Sequence, residues 1–142
     1  MNRPKVFLAE DNQNDGLLLD LAFADAGWSV KIDQVHDGVR AFELLRSAAR
    51  LVPFPFQLIV LDLQLPRMDG LELLLAIRNW PELTNVPIVI LTTSTTVHER
   101  DRIQDLHCNL MMKPNDYRGL SVVVAKLASY LPCSIDGVPD SR

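Results

Sequence analysis

The sequence predicts an α/β protein built on one five-stranded parallel sheet, doubly wound, with its strands in the order 2-1-3-4-5. Three observations predict it. Short apolar runs alternate five times with longer segments of helical periodicity, the pattern of a parallel sheet covered by helices. Two of the apolar runs are nearly unbroken, as strands covered on both faces are. A third alternates apolar and charged residues, as a half-exposed strand at a sheet edge does. Right-handed crossovers then favour the doubly wound order, with the unbroken runs in the middle.

Lys5 to Ala9 reads as the first strand. Leu17 to Ala26 follows as a helix carrying Leu17, Leu18, Leu21 and Ala22 at helical spacing, and Gly27 is placed to end it. Ser29 to Val35 is the alternating second strand, with Val30 and Ile32 set between Lys31 and Asp33. Asp37-Gly38 opens a second helix on Val39, Phe42 and Leu45. Phe56 to Leu61 is the first unbroken run, and Leu71 to Trp80 a third helix stopped by Pro81. Ile88 to Leu91 is the other buried strand. Val97 to Leu106 is a polar, charge-rich helix, Leu110 to Met112 a short last strand, and Arg118 to Leu131 a last helix on Leu120, Val123, Val124, Leu127 and Leu131. One domain over 4–131 accounts for these elements. The stretch 132–142 lacks periodicity and is expected to be a loosely ordered tail.

Composition narrows the function. At 48% hydrophobic and 23% charged the chain is an ordinary globular protein. A net charge of −4 argues against general affinity for nucleic acid or anionic lipid. No apolar run approaches the roughly 20 residues that cross a bilayer, and the first strand begins too early for a secretory signal. A cytoplasmic protein is expected. Cys108 and Cys133 form neither a disulfide framework nor a metal-site spacing.

In open parallel sheets, chemistry collects beyond the C-terminal strand ends, where the strand order reverses. Here the first strand ends in Glu10-Asp11, the third in Asp62, the fourth in Thr92-Thr93-Ser94 and the fifth in Lys113-Pro114. Four strands therefore deliver polar or charged groups to one rim. Two carboxylates about 5 Å apart repel by roughly 3 kcal/mol at an effective dielectric near 20. Three around one crevice need a cation, a proton or wide separation. A hard divalent ion held by few protein oxygens and several waters is the economical answer, as for Mg²⁺. Acidic residues also stabilise a helix start by about 0.3–1 kcal/mol, which by itself would explain Glu10 and Asp11. Asp62 across the crevice weighs against that simpler account.

The stretch Asp62-Leu63-Gln64-Leu65-Pro66-Arg67-Met68-Asp69-Gly70 resembles the phosphorylation loop of bacterial response-regulator receiver domains. Glu10-Asp11, Thr92 and Lys113-Pro114 fall where that family has its acidic pair, its hydroxyl and its Lys-Pro dipeptide. The resemblance runs from about Val6 to Leu131. It implies a flavodoxin-like three-layer sandwich in which Asp62 is the phosphoacceptor for a sensor histidine kinase. It also implies Mg²⁺ (or Mn²⁺) held by Glu10, Asp11, Asp62 and the backbone carbonyl of Gln64. Thr92 would hydrogen-bond the incoming phosphoryl group, and Lys113 would pair with Asp62 and then with the phosphate. The bond between Lys113 and Pro114 is cis in the family. The implied activity is that of a two-component switch that sheds its own phosphate slowly, without being an enzyme on other substrates.

Three features depart from the common receiver pattern. Leu110 stands where a Tyr or Phe usually reads out the switching hydroxyl, Thr93 where a small residue usually leaves room for phosphate, and Gln64 and Ser94 flank the path of the attacking water. The run Leu91-Thr92-Thr93-Ser94, the Val52-Pro53-Phe54-Pro55 approach and the lack of an output segment resemble a single-domain subgroup. That subgroup includes partners of bacterial phytochrome kinases, which dimerise through the fourth helix, fifth strand and last helix. The corresponding face here includes His98 to Asp105 and Leu110, although His98-Glu99-Arg100-Asp101-Arg102 also reads as a plain solvated helix face. Two other readings compete. Leu110 and Thr93 would suit a receiver-shaped binding module that works unphosphorylated. A phosphatase with an aspartyl intermediate is disfavoured, because Gln64 stands where the haloacid-dehalogenase-like enzymes keep a second aspartate.

Overall fold

The structure is a computed structural model that describes residues 3–132. The expected tail, with Cys133, lies outside the described residues from 133 onward. Five parallel strands, β1 (Lys5–Ala9), β2 (Lys31–Val35), β3 (Leu58–Leu61), β4 (Ile88–Thr92) and β5 (Asn109–Met112), form one sheet in the order 2-1-3-4-5. Between and after them run α1 (Gln13–Asp25), α2 (Gly38–Ala48), α3 (Gly70–Ile77), α4 (Val97–Asp105) and α5 (Tyr117–Ala128). α3 ends at Ile77, short of the expected Trp80, and a short 3₁₀ turn, Pro81–Leu83, follows with Pro81 at its start.

Alternation along the strands builds the two cores. Phe7, Ala9, Ile59, Leu61, Ile88 and Ile90 face α2, α3 and α4, meeting Ala41, Leu45, Leu73, Leu74, Ile77 and Ile103. Val6, Leu8, Leu58, Val60, Val89 and Leu91 face α1 and α5, meeting Leu19, Phe23, Val124 and Leu127. Burying both faces is why β3 and β4 read as unbroken apolar runs. The edge position of β2 leaves Lys31 exposed and Ile32 to Gln34 half-buried.

One face was misassigned by periodicity. Leu17, Leu18 and Leu21 are 60%, 45% and 51% exposed, while Gly16, Leu19, Ala22 and Phe23 turn inward. The helix starts at Gln13, four residues before the expected Leu17, because the Asn12 side chain caps it by accepting from the backbone N–H groups of Asn14 and Asp15. Leucines at 17, 18, 19 and 21 surround the helix, so their spacing could not select the inner face. At its other end Gly27 has φ 89°, the left-handed conformation that ends a helix cheaply only with glycine.

Gly70 is where the fold bears most directly on Asp62. It opens α3, and its N–H donates to the Leu63 carbonyl at 2.9 Å, closing the 62–70 loop. A β-carbon on Gly70 would lie 2.1 Å from the Asp62 carbonyl oxygen and 2.7 Å from the Leu63 α-carbon. Both are backbone atoms and cannot rotate away. Gly70→Ala is therefore expected to destabilise the fold by about 1–3 kcal/mol and to slow phosphorylation by displacing the end of β3. Urea unfolding of wild type and variant measures the first effect.

Candidate functional site

The C-terminal ends of β1, β3, β4 and β5 bring Glu10, Asp62, Thr92 and Lys113 together in the crevice between β1 and β3. Three of these polar residues are buried: Glu10 is 3%, Asp62 4% and Thr92 0% exposed. The Lys113 ammonium donates to Asp62 Oδ2 at 2.8 Å, to Glu10 Oε1 at short range, and to Asp15 Oδ2 at 3.2 Å. Thr92 Oγ1 lies 3.0 Å from Asp62 Oδ1 and 2.8 Å from Gln64 Oε1. Its single proton serves one of these acceptors at a time. Asp62 Oδ1 also accepts from the Gln64 backbone N–H at 3.0 Å, and Glu10 Oε2 from the Asn12 N–H at 2.9 Å. Asp62 thus makes the turn bond expected of a loop residue as well as the contacts to Thr92 and Lys113. The helix cap belongs to Asn12, which leaves Glu10 and Asp11 free of that role.

The electrostatics follow from burial. Removal from water raises the Glu10 carboxyl above its ordinary value. The Lys113 hydrogen bond and the Asn12 N–H offset part of this, and the neighbouring Asp62 charge adds to it. Burial alone would lower the Lys113 ammonium, but its hydrogen bonds to Asp62 and Glu10 outweigh that and hold it above the usual lysine range. Lys113 is therefore fully charged at neutral pH.

One carboxylate oxygen from each of Glu10, Asp11 and Asp62 lies within 4.8 Å of the others. At that spacing each ionised pair repels by about 3 kcal/mol at an effective dielectric of 20. The donors are all hard oxygens, and exposed Asp11 leaves the rim open to water. This set suits Mg²⁺ or Mn²⁺, which retain several water ligands.

Gln64 does more than its backbone suggested. Its side chain crosses from the 62–70 loop to the loop after β4, where Nε2 donates to the Ser94 carbonyl at 3.2 Å. Its Oε1 also accepts from the exposed Thr93 at 3.4 Å. Leu110 is half-buried against the α2, α3 and α4 core. Two features were not legible beforehand. Asp15 joins the lysine from the first turn of α1, a placement that depends on the Asn12 cap. The Lys113–Pro114 bond is trans, not cis as the resemblance implied; among the described residues the cis bond is Val52–Pro53. Trans is the intrinsically preferred isomer by about 0.5–1 kcal/mol, and with it the Lys113 N–H donates to the Thr92 carbonyl at 2.7 Å while its ammonium reaches Asp62.

Comparison with known proteins decides the family. The model of the response regulator receiver domain matches residues 6–124. The chain belongs to the response regulator receiver family. Receivers are switches of two-component signalling, and phosphorylation-dependent switching is their general function. This receiver is 31% identical to the response regulator Rcp1 of Synechocystis sp. over 132 residues, covering 91% of this chain and 90% of that one. It is 33% identical over 129 residues to the probable methanogenesis regulatory protein FilR2 of Methanothrix harundinacea, with 88% and 81% covered. Among solved structures it resembles the phosphorylated cyanobacterial phytochrome response regulator RcpA, with TM-score 0.79, 31% identity, and 92% and 94% covered. The Mn²⁺-bound form of Rcp1 aligns with TM-score 0.76 at 28% identity, with 92% and 99% covered. No helix among the receiver's described residues is long and apolar enough to cross a membrane.

Proposed function

We propose that Asp62 of this receiver accepts a phosphoryl group from a sensor histidine kinase and that the modification switches a binding surface. One observation carries the reading: Lys113 and Thr92 reach opposite oxygens of the same buried Asp62 carboxylate, beside Glu10. An Asp62 oxygen attacks the phosphorus of a phosphohistidine. The new P–O bond forms as the P–N bond breaks, and the bonding pair stays with the imidazole nitrogen, which takes up a proton. The chain supplies position and charge rather than covalent chemistry of its own.

Lys113 exchanges its bond to Asp62 for one to a phosphoryl oxygen, and the Thr92 hydroxyl turns its proton to another. Glu10, Asp11, Asp62 and the Gln64 carbonyl would hold Mg²⁺ or Mn²⁺, which when bound neutralises charge on the phosphoryl oxygens. Water later cleaves the acyl phosphate, making the protein a slow phosphatase of itself and no enzyme on other substrates. Residues 4–131 form the working unit, and its place is the cytoplasm.

The added charge draws Thr92 inward and rearranges the loop after β4. The output surface is the face of α4, β5 and α5, where Val97, Met112 and Val122 are exposed and Leu110 lies beneath. A second copy of the chain is the proposed partner there, nucleic acid is not, and a bacterial phytochrome kinase is the proposed donor by likeness to RcpA. Acetyl phosphate with Mg²⁺ should add one phosphoryl group and shift the chain from monomer to dimer on sizing. Labelling without any change in size or partner affinity would favour a binding module indifferent to phosphorylation.

The cation set carries its own expectation. Asp11→Asn removes one of three mutually repelling carboxylates, so divalent affinity should fall at least about tenfold while the metal-free fold becomes more stable. Calorimetric Mg²⁺ titration and urea unfolding in chelator read the two effects.

A further inference from the structure

We infer that Asp15 is a positioning residue that keeps the Lys113 ammonium at the phosphoryl site while its other two carboxylate partners are drawn away. The inference rests on the reading of Asp62 as phosphoacceptor. An ammonium has three N–H donors, and here three carboxylates take them: Glu10, Asp62 and Asp15. Two of those partners have other work. Asp62 becomes an acyl phosphate, and Glu10 belongs to the acid cluster suited to the cation.

Asp15 is outside that cluster and outside the bond-making. Its backbone is fixed where the Asn12 side chain accepts its N–H at 3.2 Å, in the first turn of α1. It approaches Lys113 from the wall of a cavity of about 310 Å³ between α1 and α5, whose apolar lining includes Leu18, Leu19, Leu91 and Leu120. Asp116, also on that wall, is engaged in capping α5 through the Gly119 N–H at 2.8 Å. Without Asp15 the flexible lysine stem would lose the one acceptor that stays in place throughout the transfer.

The test follows phosphorylation of the full chain by acetyl phosphate at saturating Mg²⁺, read by intact-mass spectrometry. In that reaction Asp62 displaces acetate, so the P–O bond to acetate breaks as the bond to Asp62 forms. Asp15→Asn should lower the rate constant about fivefold, the scale of one partly exposed charge pair, with an unchanged urea midpoint. Asp15→Glu should restore most of the rate. In a Lys113→Ala background the same Asp15→Asn change should alter the rate less than about twofold, because the group it positions is gone. A wild-type rate in Asp15→Asn, or an equal loss in the Lys113→Ala background, overturns the positioning role and leaves the phosphoacceptor intact. A wild type that takes no label overturns the phosphoacceptor reading, and this inference with it.

Discussion

Asp62→Asn is expected to abolish phosphorylation by acetyl phosphate, where the wild type takes up one phosphoryl group. The change is nearly isosteric. The amide oxygen can still accept from the Gln64 N–H, which the Asp62 carboxylate bonds at 3.0 Å in the wild type, so the fold should survive and the loss should be chemical. An amide is too weak a nucleophile to replace a carboxylate in this step. Glu10 and Asp11 are poor substitutes, since Glu10 is engaged by Lys113 and Asp11 stands at the exposed rim. Intact-mass spectrometry checks it, and a label persisting at wild-type level in the variant would remove Asp62 from the mechanism.

Lys113→Met has the second large effect, on stability and on metal binding together. The lysine side chain is 14% exposed, and those of Glu10 and Asp62 are 4% and 5% exposed. Removing the ammonium leaves two buried carboxylates without their common cation. The expected cost in chelator is about 2–3 kcal/mol, at the lower end for broken buried pairs because the Asp15 side of the site is open to water. Mg²⁺ should stabilise the variant more than the wild type, since it then neutralises charge that no lysine shares. The pH dependence has a definite sign. The folded-state value of Lys113 is raised above its ordinary 10.5, so its stabilisation is complete below the unfolded lysine value and is lost as pH rises through the higher folded one. The lysine's contribution to the gap between wild type and variant should therefore be flat from about pH 6 to 9 and lost in strong alkali, while protonation of the unpaired carboxylates narrows the gap in acid. Urea unfolding across that range measures it.

Particular residues show what a sequence can and cannot carry. The strand order and the shared rim were legible because unbroken and alternating runs report burial on two faces or one. The end of a parallel strand is also a fixed address, so the shared rim of Glu10, Asp62, Thr92 and Lys113 is written in the chain itself. Positions whose geometry depends on a helix start were not legible. Asp15 meets Lys113 because Asn12 begins α1 four residues before the periodic leucines suggested, and Leu17, Leu18 and Leu21 face outward because leucines on every side of the helix left its inner face unmarked. Phe56 and Gln57 read as part of β3 but precede it; Gln57 lies beside the strand start, where its Oε1 accepts from the Lys5 N–H at 2.7 Å. The Lys113–Pro114 isomer is a tertiary outcome that two residue names cannot report.

Switching by this receiver requires a phosphoryl group on one buried carboxylate at the end of β3. Borohydride reduces an acyl phosphate where it stands, and peptide mass spectrometry then locates the reduced side chain in the unmutated protein. The predicted result is a single reduced residue at Asp62, dependent on both phosphodonor and divalent cation. Reduction at Glu10, Asp11 or Asp15, with Asp62 unchanged, would contradict it.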